Sequence, residues 1–174
     1  MSLRGMLRTG LIVLAAVGSL ATTAACDAGR KDDPVVNVEA TDATMNAAIA
    51  EARAALPRFW ALYEGDPVVN ATAGLKVGFP VKGGGHEHMW LNTIKREGAV
   101  ITGVLGNDPA FIPSMKLGDV VTIDPALISD WSYERNGRLY GSYTTRVLVG
   151  QMSAEEAAPY RKMLSDKPLE DGRP

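Results

Sequence analysis

The chain has 174 residues, of which 46% are hydrophobic and 22% are charged. These fractions are close to those of globular proteins, so they exclude a wholly disordered chain, a collagen-like protein and a coiled-coil fibre. The formal net charge is −2, which argues against a general nucleic-acid binder, because such proteins carry a strong basic excess. We therefore expect one folded domain and no nucleic-acid partner.

The first 25 residues have the organisation of a secretory signal peptide. Two arginines precede an apolar stretch from Leu11 to Ala21, and small residues follow as far as Ala25. This stretch is too short to cross a bilayer as a helix, which takes about 20 residues, but it fits the hydrophobic region of a signal. We therefore predict a signal peptide over residues 1–25.

Cys26, the only cysteine in the chain, follows the signal directly. It cannot form an internal disulfide, and Thr23-Ala24-Ala25-Cys26 resembles a bacterial lipobox, in which the cysteine is lipidated. We therefore predict an exported lipoprotein facing the periplasm or cell surface, which touches the membrane through its lipid anchor only. The alternative is ordinary cleavage near Ala25, which would leave a free thiol. Residues 26–43 are then the lipidated cysteine and a flexible tether, and residues 165–174 a disordered tail.

Residues 44–164 are predicted to form a single domain that begins with a helix. Apolar residues recur there at spacings of three and four, at Met45, Ala48, Ile49, Ala52, Ala55 and Leu56. Pro57 is expected to kink this helix or to restart it. The aromatic residues Phe59, Trp60 and Tyr63 that follow are interpreted as a packing face.

The period then changes to two, which is typical of half-buried strands. Leu75, Val77, Phe79 and Val81 form the first such pattern, in which Pro80 indicates an edge position. Further strands are predicted at about 87–94, 100–105, 120–123, 128–133 and 139–148, with Asn136-Gly137 as a hairpin turn. Ser153 and Glu156 form a capping box for a last helix.

Because the strands are joined by short turns, they are expected to pair antiparallel. The predicted fold class is α+β. An N-terminal helix packs on a bent antiparallel sheet of five to six strands, and a short C-terminal helix follows.

Several segments identify a family as well as a fold. KVGFPVKGGGHEHMWLN, ITGVLGNDP, KLGDVVTI, ISDW and GRLYGSYTTRVL resemble the bacterial domain of unknown function 2314, over roughly residues 45–152. The resemblance implies a small α+β domain, and the family has no established activity. The positions typical of the family are matched here by Glu87, His88, Trp90, Gly118, Asp119, Asp130 and Trp131.

These positions and the turn at Asn107 supply the candidate binding residues. They are Glu87, His88, Trp90, Asn107, Asp119, Asp130 and Trp131. For two of them a structural role is the competing interpretation, since Trp131 can fill the core and Asp130 can cap a turn. No catalytic residue is predicted, because no serine lies in a nucleophile elbow and Cys26 lies outside the domain.

His86 and His88 are candidate metal ligands, since residues two apart on a strand point to the same face. Zinc would need one or two more ligands, for which Asp108, Asp119 or Asp130 are candidates. The competing interpretation places His86 in the glycine-rich loop and gives His88 a structural hydrogen bond.

Three hypotheses of function remain open at this point. The first is a non-catalytic module at the cell envelope that binds an envelope protein or a small ligand and has no cofactor. The alternative is a metal-binding protein or metal-dependent hydrolase that holds zinc on His86 and His88. The third is a structural envelope protein without a discrete ligand.

Overall fold

The structure, a computed structural model, describes residues 42–170. The predicted signal peptide, Cys26, the tether up to residue 41 and residues 171–174 lie outside the described residues. The helices are α1 (Ala43–Ala54), α2 (Leu56–Gly65), α3 (Pro67–Thr72), α4 (Tyr143–Gln151) and α5 (Ala154–Met163). The strands are β1 (Gly74–Pro80), β2 (His86–Glu97), β3 (Val100–Leu105), β4 (Val120–Thr122), β5 (Ile128–Arg135) and β6 (Arg138–Gly141), and a 3-10 turn spans Pro125–Leu127.

Capping residues and prolines explain where the first helices begin. The Asp42 carboxylate accepts hydrogen bonds from the backbone N–H groups of Thr44 and Met45, both at 2.9 Å, and so satisfies donors that have no partner within α1. Pro57 lies in the first turn of α2, where its missing N–H costs nothing. The helical segment therefore restarts at Pro57, as predicted.

The six strands form one open antiparallel sheet in the order β4-β3-β2-β1-β5-β6, which confirms the predicted α+β class. The expectation that Pro80 marks an edge strand is wrong, because β1 lies inside the sheet between β2 and β5. Pro80 is the last residue of β1, and the pairing of β1 with β5 already ends at Val77 and Ile128. The missing N–H of Pro80 therefore removes no hydrogen bond between β1 and β5.

The predicted return strand over residues 139–148 is wrong beyond Gly141, where the chain leaves the sheet and enters α4. Gly141 has a φ of 69°, and a Cβ there would collide with the carbonyl oxygen of Trp131. Ser142 follows with a φ of 54°. These two left-handed residues turn the backbone out of the strand, since such conformations do not continue a β ladder. The hairpin at Asn136-Gly137 and the capping box of Ser153 and Glu156 are both confirmed.

The two faces of the sheet differ in what covers them. One face is the core face: it carries Leu75, Val77, Met89 and Leu91, and α1, α2 and α3 pack over it. The aromatic residues of α2 and β5 meet there, with Phe59 stacked on Trp131 at 5.1 Å between ring centroids. The opposite face leaves much of its surface exposed over β1 to β4.

Residues 165–170 pack against the domain, so the predicted disordered tail is wrong for this part. Ser165 is buried, and its N–H donates to the Leu139 carbonyl at 2.9 Å. Glu170 accepts a hydrogen bond from Arg58 through its backbone carbonyl at 2.6 Å, and its carboxylate pairs with Arg135 at 2.6 Å. Pairing with distant arginines orders a segment that its local composition predicts to be frayed.

Candidate functional site

The exposed surface of β1 to β4 brings several of the predicted residues together. We call it the open face, and it carries Lys76, Gly78, His86, His88, Trp90, Asn92, Val104 and Val120. The strand register fixes this set, because residues paired directly across antiparallel strands point to the same face. Lys76 pairs with Trp90, Gly78 with His88, and Pro80 with His86. Asn92 pairs with Val104, which in turn pairs with Val120.

Lys76 and Trp90 lie in the middle of the open face. The Lys76 ammonium is 5.8 Å from the centroid of the half-buried Trp90 ring, which is within cation–π distance. It also donates a hydrogen bond to Thr144 Oγ1 at 3.1 Å. Burial lowers the pKa of Lys76, and the nearby negative charge of Asp130 opposes this shift. The pair thus presents a cation beside an aromatic surface.

Asp130 lies beside Lys76, its cross-strand partner on β5, and is fully buried. Its carboxylate accepts hydrogen bonds from the N–H groups of Trp131 (2.8 Å), Tyr143 (3.1 Å) and Thr144 (2.8 Å), and from Thr144 Oγ1 (2.7 Å). Burial raises the pKa of Asp130, and these hydrogen bonds act in the opposite direction. Asp130 therefore caps the N-terminus of α4, and a ligand on the open face cannot reach its carboxylate.

Trp131 is on the core face and is 0% exposed. Its indole Nε1 donates to the Ala52 carbonyl of α1 at 2.9 Å, so both its apolar ring and its polar atom are satisfied inside the protein. The competing interpretation, that Trp131 fills the core, is the one that fits its position.

His88 lies on the open face and reaches across β1 to β5. Its ring covers Gly78, where a Cβ would come within 2.9 Å of His88 Cε1. Its Nδ1 is 2.8 Å from the hydroxyl of Ser129, which also donates to the Lys76 carbonyl at 3.2 Å. Burial of the ring against the sheet, together with the charge of Lys76, lowers the pKa of His88 to about 4. His88 is therefore a neutral imidazole at neutral pH.

His86 is the first residue of β2 and is exposed. The centroid of its ring is 6.3 Å from that of His88, and the two ring planes are inclined by 54°. Within residues 42–170 no group of three or more histidine, cysteine, aspartate or glutamate residues is arranged to hold a metal ion. Asp108, Asp119 and Asp130 therefore do not join the two histidines.

Glu87, Asn107 and Asp119 organise the loop between β3 and β4. The Glu87 carboxylate accepts the N–H groups of Ala110 and Phe111 at 2.6 and 3.0 Å. Asp119 accepts the Lys116 N–H at 2.9 Å, and the Asn107 amide donates to the carbonyl of the next residue, Asp108, at 3.3 Å. These side chains replace the backbone partners that a long loop lacks.

Three residues around the site were not predicted from the sequence: Lys76, Ser129 and Thr144. Lys76 occupies a polar position in the alternating pattern of β1, and this pattern could have indicated that it lies on the face opposite the core. Ser129 lies beside Asp130 at an irregularity in the pairing of β1 and β5, and Thr144 belonged to a predicted strand. The register shift and the start of α4 depend on distant residues, so no local pattern indicated them.

The fold and the site together define a small α+β domain in which helices cover one face of an open antiparallel sheet and the other face remains accessible. Residues 42–165 match the sequence profile of a family described as an uncharacterized protein conserved in bacteria (DUF2314). The chain belongs to this family.

Two curated relatives extend this result. The chain is 33% identical over 132 residues to a protein of Neisseria meningitidis serogroup B whose name assigns it provisionally to the ankyrin repeat proteins, a match covering 72% of this chain and 52% of that protein. It is 35% identical over 78 residues to an uncharacterized Escherichia coli K12 protein, YegJ, covering 45% of this chain and 51% of that protein. The chain spans about half the length of these relatives. No solved structure matches it.

None of the helices between residues 42 and 170 combines the length and the apolar character that crossing a bilayer requires.

Proposed function

We propose that the protein is a non-catalytic binding module of the cell envelope, exported by residues 1–25 and held at the membrane by lipid on Cys26. In this proposal the open face binds an envelope protein that presents a carboxylate next to an apolar side chain. The observation that carries the proposal is the pairing of the Lys76 ammonium with the half-buried Trp90 ring in the middle of an uncovered sheet face.

The chemistry of the pair supports an anionic partner. A lysine ammonium can donate three hydrogen bonds, and among the described residues Thr144 Oγ1 accepts one of them. The neighbouring acid, Asp130, is fully buried and engaged with α4. A carboxylate from outside would therefore complete the hydrogen bonds of Lys76 without competition at the surface.

The shape of the open face favours a protein over a small molecule. Small-molecule sites are concave and enclose most of their ligand, whereas this face is a sheet surface that continues over Val104 to the exposed Val120 at the edge strand. Trp90 supplies the central aromatic group around which protein interfaces concentrate their binding energy. The apolar part of the partner would lie over Trp90 and the two valines.

Site-directed crosslinking in the intact envelope tests the binding proposal. A photoreactive phenylalanine analogue replaces Thr122, an exposed open-face residue of β4, in the full chain. We expect a crosslink to one protein. Trp90→Ala or Lys76→Met should each lower the yield of this crosslink at least about tenfold. Lys162→Met, on α5, is the matched control and should leave the crosslink unchanged.

Mass spectrometry of the crosslinked peptide then tests the chemistry of the partner. We expect an acidic residue of the partner close to the crosslink. Replacing this residue by the corresponding amide should lower the crosslink yield, and adding Lys76→Met should then lower it no further. A crosslink insensitive to both Trp90→Ala and Lys76→Met would overturn the proposal, as would the absence of any crosslink to the folded protein.

The anchor is tested separately by fractionation. The native chain should sediment with membranes and incorporate labelled fatty acid, while Cys26→Ser should do neither. A native chain that stays in the soluble fraction without label would overturn the anchoring proposal.

A further inference from the structure

We propose that His86 and His88 bind a single transition-metal ion on the open face, with Cu²⁺ held more tightly than Zn²⁺. The two residues are separated by one position on β2, and the register places both side chains on the same face as Gly78 and Pro80. This site does not rest on the proposed protein partner, because it uses the ring nitrogens at the other end of the face from Val120.

The separation of the rings suits a shared ion. Imidazole nitrogens lie about 2.0–2.1 Å from a bound zinc, so two ring centroids around one metal lie roughly 4.5–6.4 Å apart, depending on the angle at the metal. The centroids of His86 and His88 are 6.3 Å apart. This value is at the upper end of that range, so the exposed His86 side chain would have to rotate towards His88 for both rings to bind one ion in a bent arrangement.

Ser129 holds His88 in the orientation that metal binding needs. Ser129 Oγ lies 2.8 Å from His88 Nδ1 and 3.2 Å from the Lys76 carbonyl. In the tautomer in which the Ser129 hydroxyl donates to that carbonyl, His88 Nδ1 carries the proton of its contact with Ser129 Oγ. Nε2 of His88 then keeps its lone pair. A hydrogen bond from the other ring nitrogen is the arrangement that fixes the tautomer and orientation of metal-bound histidines.

The surroundings of the two rings leave space for the ion. Gly78 has no side chain beneath His88, and the turn before His86 consists of Gly83, Gly84 and Gly85, all with positive φ. A Cβ at any of these three glycines would meet no atom within 4 Å. His86 therefore stands on a hairpin whose side chains do not obstruct its movement.

The choice of metal follows from the ligand set. Residues 42–170 supply no third histidine, cysteine or carboxylate to this pair, so water or another small ligand must fill the remaining positions. A structural zinc site uses four protein ligands. With only two imidazoles, affinity follows the general order for divalent ions, in which Cu²⁺ exceeds Zn²⁺.

The test is a titration of the full chain carrying Cys26→Ser, which removes the thiol as a competing ligand. CuCl₂ and ZnCl₂ are added separately, heat is recorded by calorimetry, and the Cu²⁺ sample is examined by electron paramagnetic resonance. We expect one Cu²⁺ per chain with coupling to two equivalent nitrogens, and weaker binding of Zn²⁺ by at least about tenfold.

Variants identify the ligands. His86→Ala changes an exposed residue and should fold normally, and both it and His88→Ala should weaken Cu²⁺ binding at least about tenfold. Ser129→Ala keeps both ligands but releases the ring of His88, so we expect a smaller loss of affinity. Lys82→Ala, in the turn that precedes the glycines, is the matched control and should bind as the parent does. Undiminished Cu²⁺ binding in His86→Ala and His88→Ala would overturn the proposal, as would no binding by the folded parent.

Discussion

Trp131 and Trp90 show how differently the two faces of this sheet are used. Trp131 is on the core face, is fully buried, stacks on Phe59 and has its indole N–H paired with Ala52. Trp90 is on the open face, is half-buried and has a lysine ammonium near its ring. The same residue type thus stabilises the fold on one side of the sheet and remains partly exposed on the other. The coverage by α1, α2 and α3 makes the difference.

The largest expected effect separates these two tryptophans directly. Trp131→Ala should lower the free energy of unfolding by about 3–5 kcal/mol, because it leaves a cavity in the core and an unpaired carbonyl at Ala52. Trp90→Ala should lower it by about 1 kcal/mol or less, because much of the ring already contacts water. Urea unfolding followed by circular dichroism measures both values. Equal losses would show that the two faces do not differ in this way.

Asp130 provides the next largest effect, because it joins the sheet to α4. Asp130→Ala should cost about 2–4 kcal/mol, since it leaves the buried N–H groups of Tyr143 and Thr144 without their acceptor. Asp130→Asn keeps one acceptor oxygen and should cost less. Amide hydrogen exchange should accelerate in the first turn of α4 in both variants.

A control for Asp130 exists on the same chain. Asp124 accepts the N–H of Ala126 at an exposed 3-10 turn, so Asp124→Ala should cost only about 1 kcal/mol. A loss at Asp130 as small as that at Asp124 would mean that α4 is not held by the buried carboxylate.

These pairs also show how far the sequence could predict the structure. The alternation of apolar residues placed β1 to β5, and the dipeptide Asn136-Gly137 placed the hairpin, because both signals are local. The prediction that Glu87, Asp119 and Asp130 bind a ligand came from their match to positions typical of the family. In the structure all three carboxylates accept backbone N–H groups.

The two errors in the predicted fold have a common physical cause. The start of α4 depends on Gly141 packing against Trp131 and on Asp130 as a cap more than ten residues away. The internal position of β1 depends on β5 joining the sheet beside it. Pairings between distant segments are not written in the local spacing of residues, so periodicity alone could not reveal them.

A smaller effect concerns the loop that borders the open face. Glu87→Gln replaces a carboxylate that accepts two backbone N–H groups by a neutral amide and should weaken those hydrogen bonds. We expect faster amide exchange at Ala110 and Phe111 by about tenfold, with a loss of about 1 kcal/mol in unfolding free energy. Hydrogen exchange followed by NMR measures this change. Glu97→Gln, at the exposed end of β2, is the control and should leave the loop amides unchanged.

The smallest expected effect is the pH dependence that Lys76 contributes. Burial lowers the pKa of Lys76 below the ordinary value of 10.5, so the unfolded chain binds more protons than the folded chain between the two pKa values. The free energy of unfolding should therefore increase as the pH rises from the lowered pKa of folded Lys76 to 10.5. Below the lowered pKa both states are protonated, and this increase is absent. Lys76→Met removes this contribution, and parallel stability curves for the two proteins would contradict it.

The way β6 ends the sheet has a consequence for solubility. A strand at a sheet edge offers unpaired backbone groups to other chains. In β6, however, Leu139 forms a parallel bridge with Leu164, and the Ser165 N–H donates to the Leu139 carbonyl. At the opposite edge, β4 has only three residues. The segment that begins at Leu164 thus covers backbone groups of β6 that could otherwise pair with another chain. Proteolytic removal of the chain from Leu164 onward is expected to yield a protein that aggregates through β6 before it unfolds.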